Sequence, residues 1–190
     1  MRIDIMVDIE TLGNKSDSTI IQIAAAAFDI NTGEIFSYMN EIADIEQNKE
    51  SLNVTGSTLK WWMKTNPQLL NDLLNGGTKS SSWVIGYFHA WLQQYVDDND
   101  VYLWGNGILF DNKMIQHQLE LNNLNYPIFY RNDRDLRTLV ELTSVKFGIS
   151  EKELRELYYD SDLTAHNAFD DVHNQIALAV GCYTSLIGLE

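Results

Sequence analysis

From Arg2 to Glu10 the chain alternates: Ile3, Ile5, Val7 and Ile9 fall on one face of an extended strand, and Asp4, Met6, Asp8 and Glu10 fall on the other. A second apolar run from Ile20 to Ile30 carries four alanines, and Thr32-Gly33 separates it from Ile35 to Met39. This pattern predicts three strands in an antiparallel meander, with the alanines allowing a helix to pack closely. Asn40 to Thr55 is polar and without period and reads as a loop. A helix is expected from Ser57 through Trp61, Trp62 and Met63 to just before Pro67, then a second through Leu69, Leu70, Leu73 and Leu74, ending at Gly76-Gly77.

Between Ser82 and Val96, Trp83, Val84, Tyr87, Phe88, Trp91, Leu92 and Tyr95 repeat at i, i+1, i+4 and i+5, which is a helical stripe facing a core. Val101–Trp104 reads as a short buried strand, followed by a helix from about Asp111. A further strand is expected near Ile128, a helix over Thr138–Phe147, and a last helix from about Asp170 to Leu186. The order is that of an α/β layered domain: a central mixed sheet, three antiparallel strands followed by parallel ones, flanked by helices.

Length and composition narrow this further. With 190 residues, 45% apolar, the chain is expected to form one domain over residues 1–190. It has neither a signal-peptide pattern nor an apolar stretch long enough to span a bilayer, so a soluble protein without membrane attachment is expected, in the cytoplasm. The single cysteine, Cys182, excludes an internal disulfide and a thiolate zinc site, and its apolar neighbours make it a helix core position. A formal charge of −14 argues against a long basic groove for nucleic acid. It leaves room for a short strand end bound where acids hold divalent ions.

The candidate chemistry lies in three motifs: Val7-Asp8-Ile9-Glu10-Thr11, Asn106-Gly107-Ile108-Leu109-Phe110-Asp111-Asn112, and His166-Asn167-Ala168-Phe169-Asp170-Asp171. Asp8 and Glu10, two apart on a strand, point the same way and repel unless a cation lies between them. Mg²⁺ or Mn²⁺ is the natural partner of carboxylate oxygen. Among 27 acidic residues, about four acid-x-acid pairs are expected by chance. Five others occur, at Asp44/Glu46, Asp98/Asp100, Asp133/Asp135, Glu151/Glu153 and Asp160/Asp162, mostly in polar stretches, whereas Asp8/Glu10 ends an alternating strand. Asp111 lies where a buried strand passes through Gly105-Asn106-Gly107 into a helix, either as a functional acid or as one serving the helix dipole. Phe110 reads as core or as a stacking surface for a base. His166 lies in a polar stretch, where an imidazole can take a proton from water near neutral pH. Asp170 and Asp171 are adjacent, so one faces the site and the other serves the helix N-terminus.

The ordered set Asp-x-Glu-Thr, Asn-x-x-x-Phe-Asp and His-x-x-x-x-Asp resembles the three motifs of the DEDDh 3′-5′ exonuclease superfamily. Asp8-Ile9-Glu10-Thr11-Leu12-Gly13, Ser57-Thr58-Leu59-Lys60-Trp61-Trp62, Trp104-Gly105-Asn106-Gly107 and Arg134-Asp135-Leu136-Arg137-Thr138-Leu139 are similar to its phage and prophage branch, which includes exodeoxyribonuclease VIII and the T-even phage exonuclease A. The resemblance covers nearly the whole chain. It implies an RNase H-like fold and a two-metal mechanism, with Asp8, Glu10, Asp111 and Asp171 binding two Mg²⁺ or Mn²⁺ ions and His166 as general base. The family's spacing selects Asp171 over Asp170. Thr11 and Leu12 would contact the terminal nucleotide, and Asn106 and Phe110 would shape its pocket. The adjacent Trp61 and Trp62 either both pack in the core, or one packs there and the other stacks on a base; Trp62 is assigned to the substrate.

The reading is therefore a metal-dependent enzyme that releases nucleoside 5′-monophosphates from a nucleic acid 3′ end, DNA before RNA. The rivals are a 3′-5′ exoribonuclease with the same chemistry and a non-catalytic 3′-end-binding module. Oligomeric state is left open, a homodimer included.

Overall fold

The computed structural model describes residues 1–188. Five strands, β1 (Arg2–Thr11), β2 (Ile20–Phe28), β3 (Ile35–Ile42), β4 (Asp100–Gly105) and β5 (Asp133–Asp135), form one sheet in the order β3-β2-β1-β4-β5. β1 pairs antiparallel with β2, and β2 with β3, as the meander pattern predicts. β4 lies parallel to β1, and β5 parallel to β4. The carboxyl ends of β1, β4 and β5 therefore meet at one edge of the sheet, where functional groups collect in α/β folds.

Among the described residues seven helices cover the sheet: α1 (Gly56–Thr65), α2 (Pro67–Gly76), α3 (Ser81–Val96), α4 (Asp111–Leu121), α5 (Leu136–Phe147), α6 (Glu151–Leu157) and α7 (Ala168–Ile187). Ile3, Ile5, Val7 and Ile9 join Val84, Phe88 and Leu92 of α3 and Met114, Ile115 and Leu119 of α4 on one face. Met6, Ala24 and Ala26 pack on the other face with Val140 of α5 and Val172, Ile176 and Ala179 of α7. Small alanines on β2 admit α7 close to the sheet, and Cys182 is buried among the same residues. A third cluster, Leu12, Ile21, Trp62, Leu69, Leu70 and Leu73, seats α1 and α2 against the end of β1.

Two expectations are corrected. No strand forms at Ile128, which is a buried residue in irregular chain; the fifth strand is the half-buried Asp133–Asp135. The segment read as a loop from Asn40 is partly ordered, because β3 runs on to Ile42 opposite Gln22 and a 3-10 turn follows at Ile45–Gln47. α6 was not foreseen as a separate element. Among the described residues, no helix is long and apolar enough to cross a membrane.

Candidate active site

β1 carries three acids on one face, and their surroundings differ. Asp4 is buried, but Arg2 grips it through Nε and Nη2, each at 2.8 Å, and Trp104 Nε1 donates to it at 2.8 Å. Asp8 and Glu10, further along, have no such partner: among the described residues the ion pairs within 4.0 Å are Arg2–Asp4 and Lys152–Glu156, neither at the strand's far end.

Two further elements bring acids to the same place. Asp171, in the first turn of α7, has a carboxylate oxygen that lies with one from Asp8 and one from Glu10 within 4.8 Å of one another. Asp111 begins α4, where β4 stops at Gly105. A Cβ on Gly105 would fall 2.5 Å from Asn112 Oδ1 and 3.3 Å from Asp111 Cβ, so only glycine lets α4 start this close to the strand. Asn112 fixes that start by donating to Leu103 O at 3.2 Å and to Asp133 Oδ1 at 2.7 Å, which also accepts from Tyr126 OH at 2.6 Å.

The start of α7 is fixed from the sheet. Gln22, directly opposite Glu10 in the β1–β2 register, is fully buried. Its Oε1 accepts from Ala168 N at 3.1 Å, and its Nε2 donates to Asn167 Oδ1 at 3.3 Å and Asn40 Oδ1 at 2.9 Å. One turn after Asp171, Gln175 donates from Nε2 to Asp8 Oδ1 at 2.8 Å, while its buried Oε1 has no partner. Gln22 and Gln175 were missed in sequence. The i, i+4 spacing of Asp171 and Gln175 was the available sign for the second.

The electrostatics follow from burial without compensation. Desolvation, then repulsion from Asp111 and Asp171, raises the Asp8 carboxyl well above the usual range, against the Gln175 hydrogen bond. Desolvation and the charge of Asp8 do the same to Glu10. Asp111 is pushed up to about 7, chiefly by desolvation, although the backbone N–H groups of Asp111 and Ile9 and the charge of Arg137 oppose it. Asp171 is raised by desolvation, against the His166 backbone N–H. Four carboxyl groups that cannot all ionise alone, offering only hard oxygen donors, suit Mg²⁺ or Mn²⁺. Asp8, Glu10 and Asp171 are the three placed closely enough to hold one ion together.

His166 adopts φ 66°, a left-handed conformation uncommon for a residue other than glycine. Its N–H donates to Asp171 Oδ2 at 3.1 Å, and its ring meets Trp61 edge-to-face with centroids 4.8 Å apart. Asp170 turns away, accepting from Thr164 N at 2.9 Å, so it braces the preceding loop.

Beside the acids is an open hollow of about 450 Å³, lined by Glu10, Thr11, Gly13, Thr58, Trp61, Trp62 and Phe110. Thr11 and Phe110 thus line the hollow. Trp62 and Leu12 do not offer their side chains: Trp62 is 1% and Leu12 3% exposed, both packed in the cluster beneath α1 and α2. Trp62 Nε1 donates to Thr11 O at 3.0 Å, and Leu12 N donates to Thr19 O at 2.9 Å. The accessible tryptophan is Trp61, 41% exposed. Asn106 does not line this hollow, and its Oδ1 is buried without a partner.

Residues 3–182 match the family described as the 3′-5′ exoribonuclease Rv2179c-like domain. The chain is 23% identical over 211 residues to the exodeoxyribonuclease of Enterobacteria phage T4, covering 98% of this chain and 92% of that relative. Among solved structures it is similar to the nuclease domain of 3′hExo, a DEDDh family member bound to rAMP, with a TM-score of 0.65 and 16% identity over 96% of this chain and 92% of that one. Exonuclease I from Methylocaldum szegediense gives a TM-score of 0.70 at 19% identity, the likeness covering 99% of this chain and 43% of that longer one. These likenesses share the α/β fold described above.

Proposed function

We propose a reaction on the premise that this chain belongs to the Rv2179c-like 3′-5′ exoribonuclease domain family, within the DEDDh superfamily, and is a 3′-5′ exonuclease. Asp8, Glu10, Asp111 and Asp171 would hold two divalent ions, Mg²⁺ or Mn²⁺. The observation that carries this is the contrast along β1: Asp4 has its arginine, while the acids beyond it converge with Asp171 and have no basic side chain paired to them among the described residues. Ions bound there would supply Lewis-acid stabilisation of the attacking and leaving oxygens in an in-line displacement.

The chain's own groups do the rest. His166 accepts a proton from the attacking water at its imidazole nitrogen, while its backbone N–H on Asp171 and its ring against Trp61 hold it at the rim of the acid cluster. Water oxygen bonds to phosphorus as the P–O3′ bond breaks, leaving a nucleoside 5′-monophosphate and a strand with a new 3′-hydroxyl. The hollow takes the terminal nucleotide, with Trp61 and Phe110 as apolar surfaces for its base and Thr11 at its floor.

DNA is the proposed substrate, supported by the likeness to a phage exodeoxyribonuclease along nearly both whole chains. RNA is the second reading, favoured by the family's description as exoribonucleases and by the rAMP bound to 3′hExo. The test is incubation of 5′-labelled single-stranded DNA, duplex DNA and RNA with Mn²⁺, with Asp8→Ala as control. A ladder shortening from the 3′ end, faster on DNA and absent in the variant, is expected. Faster shortening of RNA overturns the DNA assignment, and undiminished activity in Asp8→Ala overturns the metal-ligand assignment.

A further inference from the structure

Among the described residues, one guanidinium beside this site has no hydrogen-bond or ion-pair partner. Arg137 lies in the first turn of α5, its backbone N–H held by the cap residue Asp135 at 2.9 Å, at the edge where β1, β4 and β5 end. Its head rests on the turn leading to Asp111. A Cβ on Gly107 would lie 2.9 Å from Arg137 Cζ and 3.1 and 3.2 Å from its two terminal nitrogens. Gly107 has φ +129°, a conformation open to glycine, so the turn is shaped as a flat seat for the guanidinium.

The other arginines of this region are committed elsewhere. Arg2 grips Asp4, Arg134 donates to the carbonyls of Arg131 and Asp133 and lies over Tyr102, and Arg131 donates to Tyr130. The Arg137 guanidinium donates to no group among the described residues and lies beyond 4.0 Å from every carboxylate. It is near enough to Asp111 for its charge to favour the ionised carboxylate. In a chain of net charge −14, a seated and exposed guanidinium at the lip of an acidic centre is a built position for an anion. Its planar fork matches two oxygens of a phosphodiester.

We propose that Arg137 binds a phosphodiester of the substrate strand flanking the scissile one, and so holds a polynucleotide rather than a single nucleotide. This rests on the exonuclease reading above. The scissile group belongs to the four carboxylates, and Arg137 sits across the Gly107 turn from them, paired to no carboxylate within 4.0 Å among the described residues, so the neighbouring phosphate is the group it meets.

The test compares Arg137→Gln and Arg137→Lys with wild type on a 5′-labelled oligothymidylate and on the p-nitrophenyl ester of thymidine 5′-monophosphate, which has one phosphodiester. On the oligonucleotide, Arg137→Gln is expected to raise KM about tenfold, an effect at least five times larger than on the ester, and Arg137→Lys to recover part of it. The slope of log affinity against log salt should fall by about 0.7 for a single strand. Equal losses on both substrates, or no loss on the oligonucleotide, overturn the assignment. If wild type cleaves neither substrate, the exonuclease reading itself falls.

Discussion

Trp61 and Trp62 are neighbours in sequence with opposite surroundings. Trp62→Ala should cost about 3–5 kcal/mol in a denaturant titration, because it empties the cluster under α1 and α2 and frees the Thr11 carbonyl. Trp61→Ala should shift stability by no more than about 0.5 kcal/mol yet lower turnover, since it removes the ring against His166 and a wall of the hollow. Adjacent helix positions differ by about 100°, so one tryptophan inside and one outside was legible. Which was which depended on how α1 docks against the end of β1, and that is a tertiary fact. His166→Asn should lower kcat by about 10²–10⁴ while a Mn²⁺ titration of the same variant stays near wild type. A parallel loss of metal affinity would make His166 a ligand rather than a base. Asp8 and Glu10 could be aimed at one point from strand period alone, whereas Asp111, His166 and Asp171 needed motif order, because nothing local in a helix start or a polar loop says which strand end it will meet.

At the scale of elements, the site depends on α7 arriving at the sheet in one register. Gln22 sets it through bonds to Ala168 and Asn167, opposite Glu10. Gln22→Leu keeps the bulk but leaves the Ala168 N–H buried without its acceptor, so a loss of about 1–3 kcal/mol is expected in chemical unfolding. Activity should fall with it, as Asp171 and His166 move together. The long alternating and helical elements were readable because their buried faces repeat. β5 was not, since three polar, half-buried residues show no period and its place beside β4 comes from Asn112 and Tyr126 gathering on Asp133. α6 buries only Leu154, too little for a stripe; its readable sign is the capping box of Ser150 with Glu153.

Over the whole molecule, the acid cluster makes stability depend on pH and metal together. Its carboxyl groups have folded-state pKa values above their unfolded ones, so the folded chain binds protons more tightly than the unfolded chain. That contribution is full below about pH 4, the unfolded value, and is lost as pH rises through the Asp111 value of about 7. In EDTA, melting should fall between pH 5.5 and pH 8, with a shallower fall in Asp111→Asn. Mn²⁺ should raise the melting temperature at pH 8 more than at pH 5.5. The reverse order would remove the cluster as the source of the dependence.

The most direct measurement is a calorimetric Mn²⁺ titration at pH 8 of the wild-type chain and of Asp8→Asn. Two ions per wild-type chain are expected, with at least one site lost in the variant, because Asp8 clusters with Glu10 and Asp171 and is repelled by the charge of Asp111 as well. Binding of Mn²⁺ with the same stoichiometry and affinity in both proteins would contradict a centre built on these four carboxylates.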